Sequence, residues 1–513
     1  MTASGAALFR VLLVLVALAA TRATAAAIDD SACVYKFSSF GCSPKALCSY
    51  QFKLGDLTPS QSCRVKKGVN KLPQQLHLAY AGAPTGSGMT ISWATFAAVP
   101  DSSVWLGSSA FTLERATAVV ITSASYYSEG DYSLVHHHAT VSGLQPNTKY
   151  FYKVGSAGDA AFQSEAFSFT TARAPSDSGA PFTVAVYGDH GDGKFAAATT
   201  EYVNALGAQI DFIYHIGDIS YADNDFLVPA QALGFFFEEV WNKWMNSLAP
   251  IMSVVPYMVT VGNHEAECHS PNCQISKTKK DRLGNYTAFN TRFKMPAVES
   301  GGVLNMWHSF DHGPAHFTSL SAETDYPGAP SNAYTLTHKN GNFGDQLTWL
   351  EADLKKADAN RASVPWVIVG MHRPLYSLNS ADGNGNPTAQ PKLLQQAFEE
   401  LFLKYKVDVV VAGHQHSYER QLPVARSVAV TDGVSADKNT YMDPKAPVYI
   451  VTGAAGNVED HTDKPSSTAA WNVASDFENW GISTVKVSRE ALEWKFIASE
   501  SQKVLDRFIM IKS

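Results

Sequence analysis

The sequence is short of several things, and each shortage removes a class of protein. It has six cysteines in 513 residues and no C-x₂-C pair, so a structural zinc knuckle is not expected. Basic residues do not dominate: 40 Lys plus Arg stand against 47 Asp plus Glu, for a formal net charge of −7. That balance supplies no basic surface to displace counterions from nucleic acid. The one long apolar run, Val11 to Ala20, falls short of the roughly 20 residues that span a bilayer. No internal repeat and no low-complexity tract is present, which argues against a solenoid or a disordered tail. Apolar residues at 45% and charged residues at 17% describe an ordinary globular chain.

A chain this long exceeds one compact core, so two or more domains are expected. Arg10, the apolar run and the small-residue strings Ala23-Thr24-Ala25 and Ala25-Ala26-Ala27 make residues 1–27 a signal peptide. The product should be secreted or enter an acidic vacuole. Cys33, Cys42, Cys48 and Cys63 crowd the next segment, residues 28–72, while Cys268 and Cys273 sit close together. An even count in an exported chain favours disulfides: a local Cys268–Cys273 bridge, and two within the first four, pairing open. Asn285-Tyr286-Thr287 is a glycosylation sequon.

From 73 to 172 the pattern is all-β. Alternating runs such as Met89-Thr90-Ile91-Ser92-Trp93 are separated by Gly, Pro and Ser turns. Leu144-Gln145-Pro146-Asn147-Thr148-Lys149-Tyr150 resembles the tyrosine corner of a fibronectin-III-like sandwich. His136, His137 and His138 are consecutive, so on a strand they alternate faces and do not converge on a metal. Residues 172–180, with Pro175, read as a linker.

Beyond it, from 181 to 513, apolar runs alternate with helical periodicity, the pattern of a layered α/β domain. The runs are Phe182–Tyr187, Phe212–Ile216, Tyr257–Val261, Ala315–Leu320, Trp366–Gly370, Val407–Ala412 and Val448–Thr452. Helices are expected over 194–206, 235–248, 345–356 and 392–405.

Polar residues suited to metals follow these runs one after another. Asp189 follows the first, and Asp218, with Tyr221 just beyond, follows the second. Asn263 and His264 follow the third, His372 a later one, and His414 and His416 another. Ligand sites in α/β folds collect beyond the carboxyl ends of strands, and glycines directly after each strand permit sharp turns. Each fragment alone is weak. Five in one domain, each after its own strand, point to a single site.

On these motifs the chain resembles purple acid phosphatases, within the calcineurin-like metallophosphoesterase superfamily, from about Pro73 to the end. The resemblance implies a β-sandwich-cored, layered αββα catalytic domain behind the all-β one. It also implies Fe(III) held by Asp189, Asp218, Tyr221 and His416, and a divalent ion (Zn, Mn or Fe(II)) held by Asp218, Asn263, His372 and His414. The oxygen and nitrogen donor set, with no thiolate, suits such ions. A phenol ionises in acid only beside a strongly polarising cation, which makes Tyr221 the telling residue. The activity implied is hydrolysis of small phosphate monoesters by a metal-bound hydroxide, with His264 as proton donor to the leaving group. A homodimer is common among such proteins, and no feature of this sequence selects it.

Two other readings compete. Non-purple relatives such as phosphodiesterases carry Asp-x-His at the first motif, but here Gly191 fills that place and His190 directly follows Asp189. A cell-surface binding protein built on the sandwich would tolerate loss of metal ligands, and all seven are present. The chain departs from part of the family in having no histidine between Arg373 and Asn386. Either His264 works alone, or Tyr376 or Arg373 assists it.

Overall fold

The computed structural model describes residues 71–513 apart from 130–131, 178–179, 228–234, 333–338 and 467, with the backbone of Phe37–Ser38 and Gly41–Cys42. The expected signal peptide and the side chains of Cys33, Cys42, Cys48 and Cys63 lie outside the described residues.

Turns at Gly, Pro and Ser cut the first part into β1 (Gln74–Ala81), β2 (Gly88–Thr95), β3 (Ser102–Gly107), β4 (Glu114–Arg115), β5 (Val119–Ala124), β6 (Val135–Ser142), β7 (Lys149–Ser156) and β8 (Phe167–Thr170). They form two antiparallel four-stranded sheets, ordered β1-β2-β6-β5 and β8-β7-β3-β4. Leu78, Ile91, Trp93, Val104, Val141 and Tyr152 are buried in this part of the core. The tyrosine corner is present: the Gln145 backbone N–H donates to the Tyr150 hydroxyl at 3.0 Å. The three consecutive histidines serve the sandwich. His137 meets Thr95 and Ser123 hydroxyls at 2.9 and 2.7 Å. Its neighbours point the other way: His136 stacks on Tyr126, and His138 reaches the Thr291 carbonyl at 2.9 Å. Burial lowers His137 to a pKa of about 4 and His138 to about 3, which keeps both neutral.

The α/β part comprises β9 (Phe182–Tyr187), α1 (Ala197–Leu206), β10 (Phe212–Ile216), α2 (Phe237–Met252), β11 (Tyr257–Thr260), β12 (His308–His312), β13 (Ala315–Leu320), α3 (Gln346–Ala359) and β14 (Trp366–Met371). It continues with α4 (Ala389–Leu394, running through a π turn into Glu400–Lys404), β15 (Val409–Ala412), β16 (Tyr418–Ala425), β17 (Thr440–Met442), β18 (Val448–Thr452), β19 (Asn472–Asp476), β20 (Gly481–Val487), β21 (Ala491–Ala498) and β22 (Val504–Ile511). One sheet runs β11-β10-β9-β20-β21-β22-β17, and the other runs β12-β13-β14-β15-β18-β16 with β19 on β16. Pairing is parallel along β9-β10-β11 and along β13-β14-β15-β18.

The two sheets face each other. Phe212 of β10 meets Phe317 of β13 edge-on with ring centres 5.1 Å apart, and the Tyr214 hydroxyl lies 2.8 Å from Ser319 Oγ. Strand β14 shows why its run is unbroken. Trp366 and Ile368 face the inter-sheet core, while Val367, Val369 and Met371 pack under α3 and α4 with Leu350, Leu354 and Phe398. A strand covered on both faces has no polar side to alternate. The C-terminal strands β20 to β22, absent from the list of apolar runs, alternate polar and apolar residues and close the first sheet by antiparallel pairing.

A buried charge joins the two parts. Arg292, fully buried, donates from Nη2 to Glu238 Oε2 at 2.7 Å and from Nε to the Tyr126 hydroxyl at 2.9 Å. That hydroxyl donates in turn to Glu238 at 2.7 Å. Removing one partner of a buried pair costs about 3–5 kcal/mol. Arg292→Met should therefore lower the unfolding free energy extrapolated from urea titration by about 3–5 kcal/mol, and an unchanged value would show that the contact contributes nothing net.

Candidate metal centre

All seven expected ligands and His264 meet at one place, where the carboxyl ends of β9, β10, β11, β14 and β15 come together. The backbone is unusual there. Asp189, Asp218, Tyr221 and His414 adopt φ of 60°, 51°, 56° and 68°, the left-handed region that non-glycine residues rarely enter and that recurs at functional sites. Gly262 makes the packing feasible: a Cβ on it would stand 2.3 Å from Asp218 Oδ1.

One group of donors surrounds Tyr221. Its hydroxyl lies 3.1 Å from Asp189 Oδ1 and 3.1 Å from His416 Nε2. His416 Nδ1 is 2.7 Å from the Asp460 carbonyl, which fixes the proton on Nδ1 and turns the Nε2 lone pair inward. Burial lowers His416 to about 4, so it is a neutral imidazole. The second group surrounds Asp218. Its Oδ2 is 2.8 Å from His372 Nε2, which is itself 3.2 Å from Asn263 Oδ1. Asp218, His372 and His414 present atoms all within 4.8 Å of one another.

His372 Nδ1 is committed to the Ile216 carbonyl at 2.9 Å, so a neutral ring would aim a bare nitrogen at two oxygens. The facing atoms of Asp218, Asn263 and His372 are then acceptors only, and a cation is what satisfies them. Protonation is the substitute: burial alone would lower His372, but Asp218 and then Asp189 outweigh it and raise it to about 9. Asp189 is raised to about 8 by its own burial, against the pull of His372 and with Asp218 adding repulsion. For Asp218 burial acts upward too, but His372 and His264 prevail and hold it low. The donors fit a pair of hard or borderline cations, and imidazoles anchored through Nδ1 are typical of metal ligands.

His264 lies beside this cluster, its ring centre 4.1 Å from that of Tyr221. Its Nδ1 is 2.8 Å from Asp223 Oδ2, and its Nε2 faces the site 3.8 Å from Asp218 Oδ2. Burial would lower it, yet Asp223 and then Asp218 raise it to about 10. Of the two possible assistants, Tyr376 is elsewhere, donating to Glu399 at 2.6 Å within the helix-covered core. Arg373 is at the site, with Nη1 2.8 Å from His414 Nε2 and Nε paired to Glu323 at 2.8 Å. His190 turns away, between Thr200 and the Trp244 indole, so the Asp-x-His ligand of the competing reading has no counterpart.

Sequence reasoning missed three residues. Glu265 accepts backbone N–H bonds from Asp218 and Gly262 through Oε2 at 2.9 and 2.8 Å, and from Ile219 through Oε1 at 2.8 Å. It ties the second metal loop to the third. Asp223 orients His264, and Glu459 brings Oε1 within 3.6 Å of His264 Nε2. Glu265 and Asp223 were detectable as acids within two residues of expected site residues. Glu459 carried no such signal. The expected Cys268–Cys273 bridge is formed, with Cα atoms 6.0 Å apart.

Fold and site define a metallophosphoesterase, and comparison with known proteins narrows the class. Residues 73–171 match the family described as purple acid phosphatase, N-terminal domain; residues 182–418 match calcineurin-like phosphoesterase; residues 446–507 match iron/zinc purple acid phosphatase-like protein C. Purple acid phosphatase 23 of Arabidopsis thaliana is 30% identical over 434 residues, 78% of this chain and 84% of its own length. Acid phosphatase type 7 of Homo sapiens is 32% identical over 398 residues, 75% of this chain and 78% of its own. The solved purple acid phosphatase from yellow lupin (Lupinus luteus) seeds superposes with a TM-score of 0.67 at 22% identity, over 86% of this chain and 75% of that one. The chain belongs to the purple acid phosphatase family: it is a phosphoric monoester hydrolase of the kind that works with a binuclear metal centre. No helix among the described residues is long and apolar enough to cross a membrane.

Losing an outer partner of a metal site costs about 10–100-fold in metal affinity. Glu265→Gln replaces one acceptor oxygen by an N–H₂ that opposes a backbone N–H. Metal analysis after dialysis should therefore show depleted protein with unchanged circular dichroism.

Proposed function

We propose that the protein is a secreted or vacuolar acid phosphatase that hydrolyses phosphate monoesters at an Fe(III)–M(II) pair. Asp189, Asp218, Tyr221 and His416 would hold the iron. Asp218, Asn263, His372 and His414 would hold zinc, manganese or ferrous iron, with Asp218 shared. The observation that carries this reading is the phenol of Tyr221 standing 3.1 Å from both Asp189 and His416: only a strongly polarising cation makes a phenol a useful donor in acid.

Two bound cations supply Lewis acidity to the phosphoryl group and activate water. The chain's own residues do the rest. Asp218 and Asp189 are held rigidly by the backbone N–H groups of His264 and His414, each at 2.8 Å, so little reorganisation accompanies the reaction. Arg373, tethered to Glu323, is placed to hold a phosphoryl oxygen; a guanidinium keeps its proton and is no acid. His264 gives the Nε2 proton to the leaving oxygen as its bond to phosphorus breaks. The attacking water returns that proton, leaving alcohol and inorganic phosphate. With Asp218 committed to cations, Asp223 and, farther off, Glu459 are the carboxylates that keep His264 protonated.

Two measurements test the proposal. Purified protein should hydrolyse an aryl phosphate in mildly acidic buffer and lose that activity on chelation; metal-replete protein without turnover would contradict it. It should also contain iron and show a broad visible band that Tyr221→Phe abolishes. A band that survives the substitution removes Tyr221 from the ligand set.

A further inference from the structure

The buried carboxylate of Asp223 touches two imidazoles. His264 Nδ1 is 2.8 Å from Oδ2 and 3.0 Å from Oδ1, and His269 Nδ1 is 3.0 Å from the same Oδ2. Asp223 is wholly buried and His264 nearly so, whereas the His269 side chain is 14% exposed. His269 is held where it is: the Cys268–Cys273 disulfide closes its loop, Gln274 donates to the Cys268 carbonyl at 3.2 Å, and Phe226 packs edge-on against the ring at 5.1 Å.

The geometry points to His269 as a positioning residue of the phosphatase site, fixing Asp223 so that Asp223 keeps the His264 Nε2 proton aimed at the leaving oxygen. A carboxylate gripped by one imidazole can still turn about its Cβ–Cγ bond, whereas a second imidazole nitrogen packed 3.0 Å from the same oxygen restricts that rotation. His264 needs the restriction, because an acid must lie within hydrogen-bond reach of the departing atom in a narrow range of directions. His269 would act through Asp223 rather than on the reacting atoms. The inference rests on His264 being the leaving-group acid.

Acid catalysis matters most for a poor leaving group. The test compares glycerol 2-phosphate, an alkyl ester, with 4-nitrophenyl phosphate, whose leaving group departs without help. General acids contribute about 10²–10⁴-fold, so a loosened one should forfeit about 10-fold in kcat on the alkyl ester and less than about 2-fold on the aryl ester, with KM unchanged. His269→Phe, which keeps a ring but has no donor, should show that pattern. So should His269→Gln, whose amide lies one bond too far out, and it serves if the phenylalanine variant fails to fold. His269→Asn places an N–H near the position of Nδ1 and should recover the alkyl rate. Equal losses on both esters, or an asparagine variant as impaired as glutamine, would overturn the proposal. His264→Ala measured alongside separates the two readings. A selective loss there without one at His269 removes this inference alone, and no selective loss at His264 removes both.

Discussion

Burial of acceptors away from bulk solvent is the constraint around which the catalytic half is organised. Asp189 and His372 are fully buried, and Asp218 is 1% exposed. Two carboxylates this deeply buried repel each other, and an unpaired buried ion costs several kcal/mol. Only positive charge between them makes the arrangement tolerable, and the surroundings are built for it. Nδ1 of His372 and of His416 is turned to a carbonyl, so both bare nitrogens face inward. The Asp218 and Asp189 carboxylates each take a backbone N–H, which orients them without neutralising them.

Face-to-face packing of the two sheets is what brings the donors together. Asp189, Asp218, Tyr221 and Asn263 follow strands of the first sheet, while His372, His414 and His416 follow strands of the second. Neither sheet carries all of the expected ligands. Contacts such as Phe212 on Phe317 therefore act on chemistry as well as stability, since they set the register of one edge against the other. The sandwich domain buttresses the same unit: His138 and Tyr126 reach Thr291 and Arg292, at the end of the segment that follows the Cys268–Cys273 loop.

A single acid often serves several neighbours. Glu265 accepts from three backbone N–H groups on two loops, and Asp223 lies against two histidines. Such groups carry the precision of the site although they bind nothing themselves. Within a low dielectric their hydrogen bonds are strong and their loss leaves buried groups unsatisfied.

The strands that carry the site were legible because they are buried on both faces, so Phe212–Ile216 or Trp366–Met371 show as unbroken apolar runs. The expected ligands stand close behind such runs, and Gly188, Gly217, Gly262 and Gly413 directly precede Asp189, Asp218, Asn263 and His414. Strands β20 to β22 were less so, since a polar face dilutes the apolar signal. Local chemistry also sufficed for the Cys268–Cys273 bridge and for the alternating faces of His136, His137 and His138. What only the tertiary structure decided was which of several plausible neighbours stand at the site. Arg373 and Tyr376 are three residues apart, yet one faces His414 and the other Glu399. Glu459, nearly two hundred residues from His264, comes to rest 3.6 Å from it. The reason is physical: periodicity and turn chemistry act over a few residues, whereas the direction of a side chain beyond a strand end depends on the sheet packed against it.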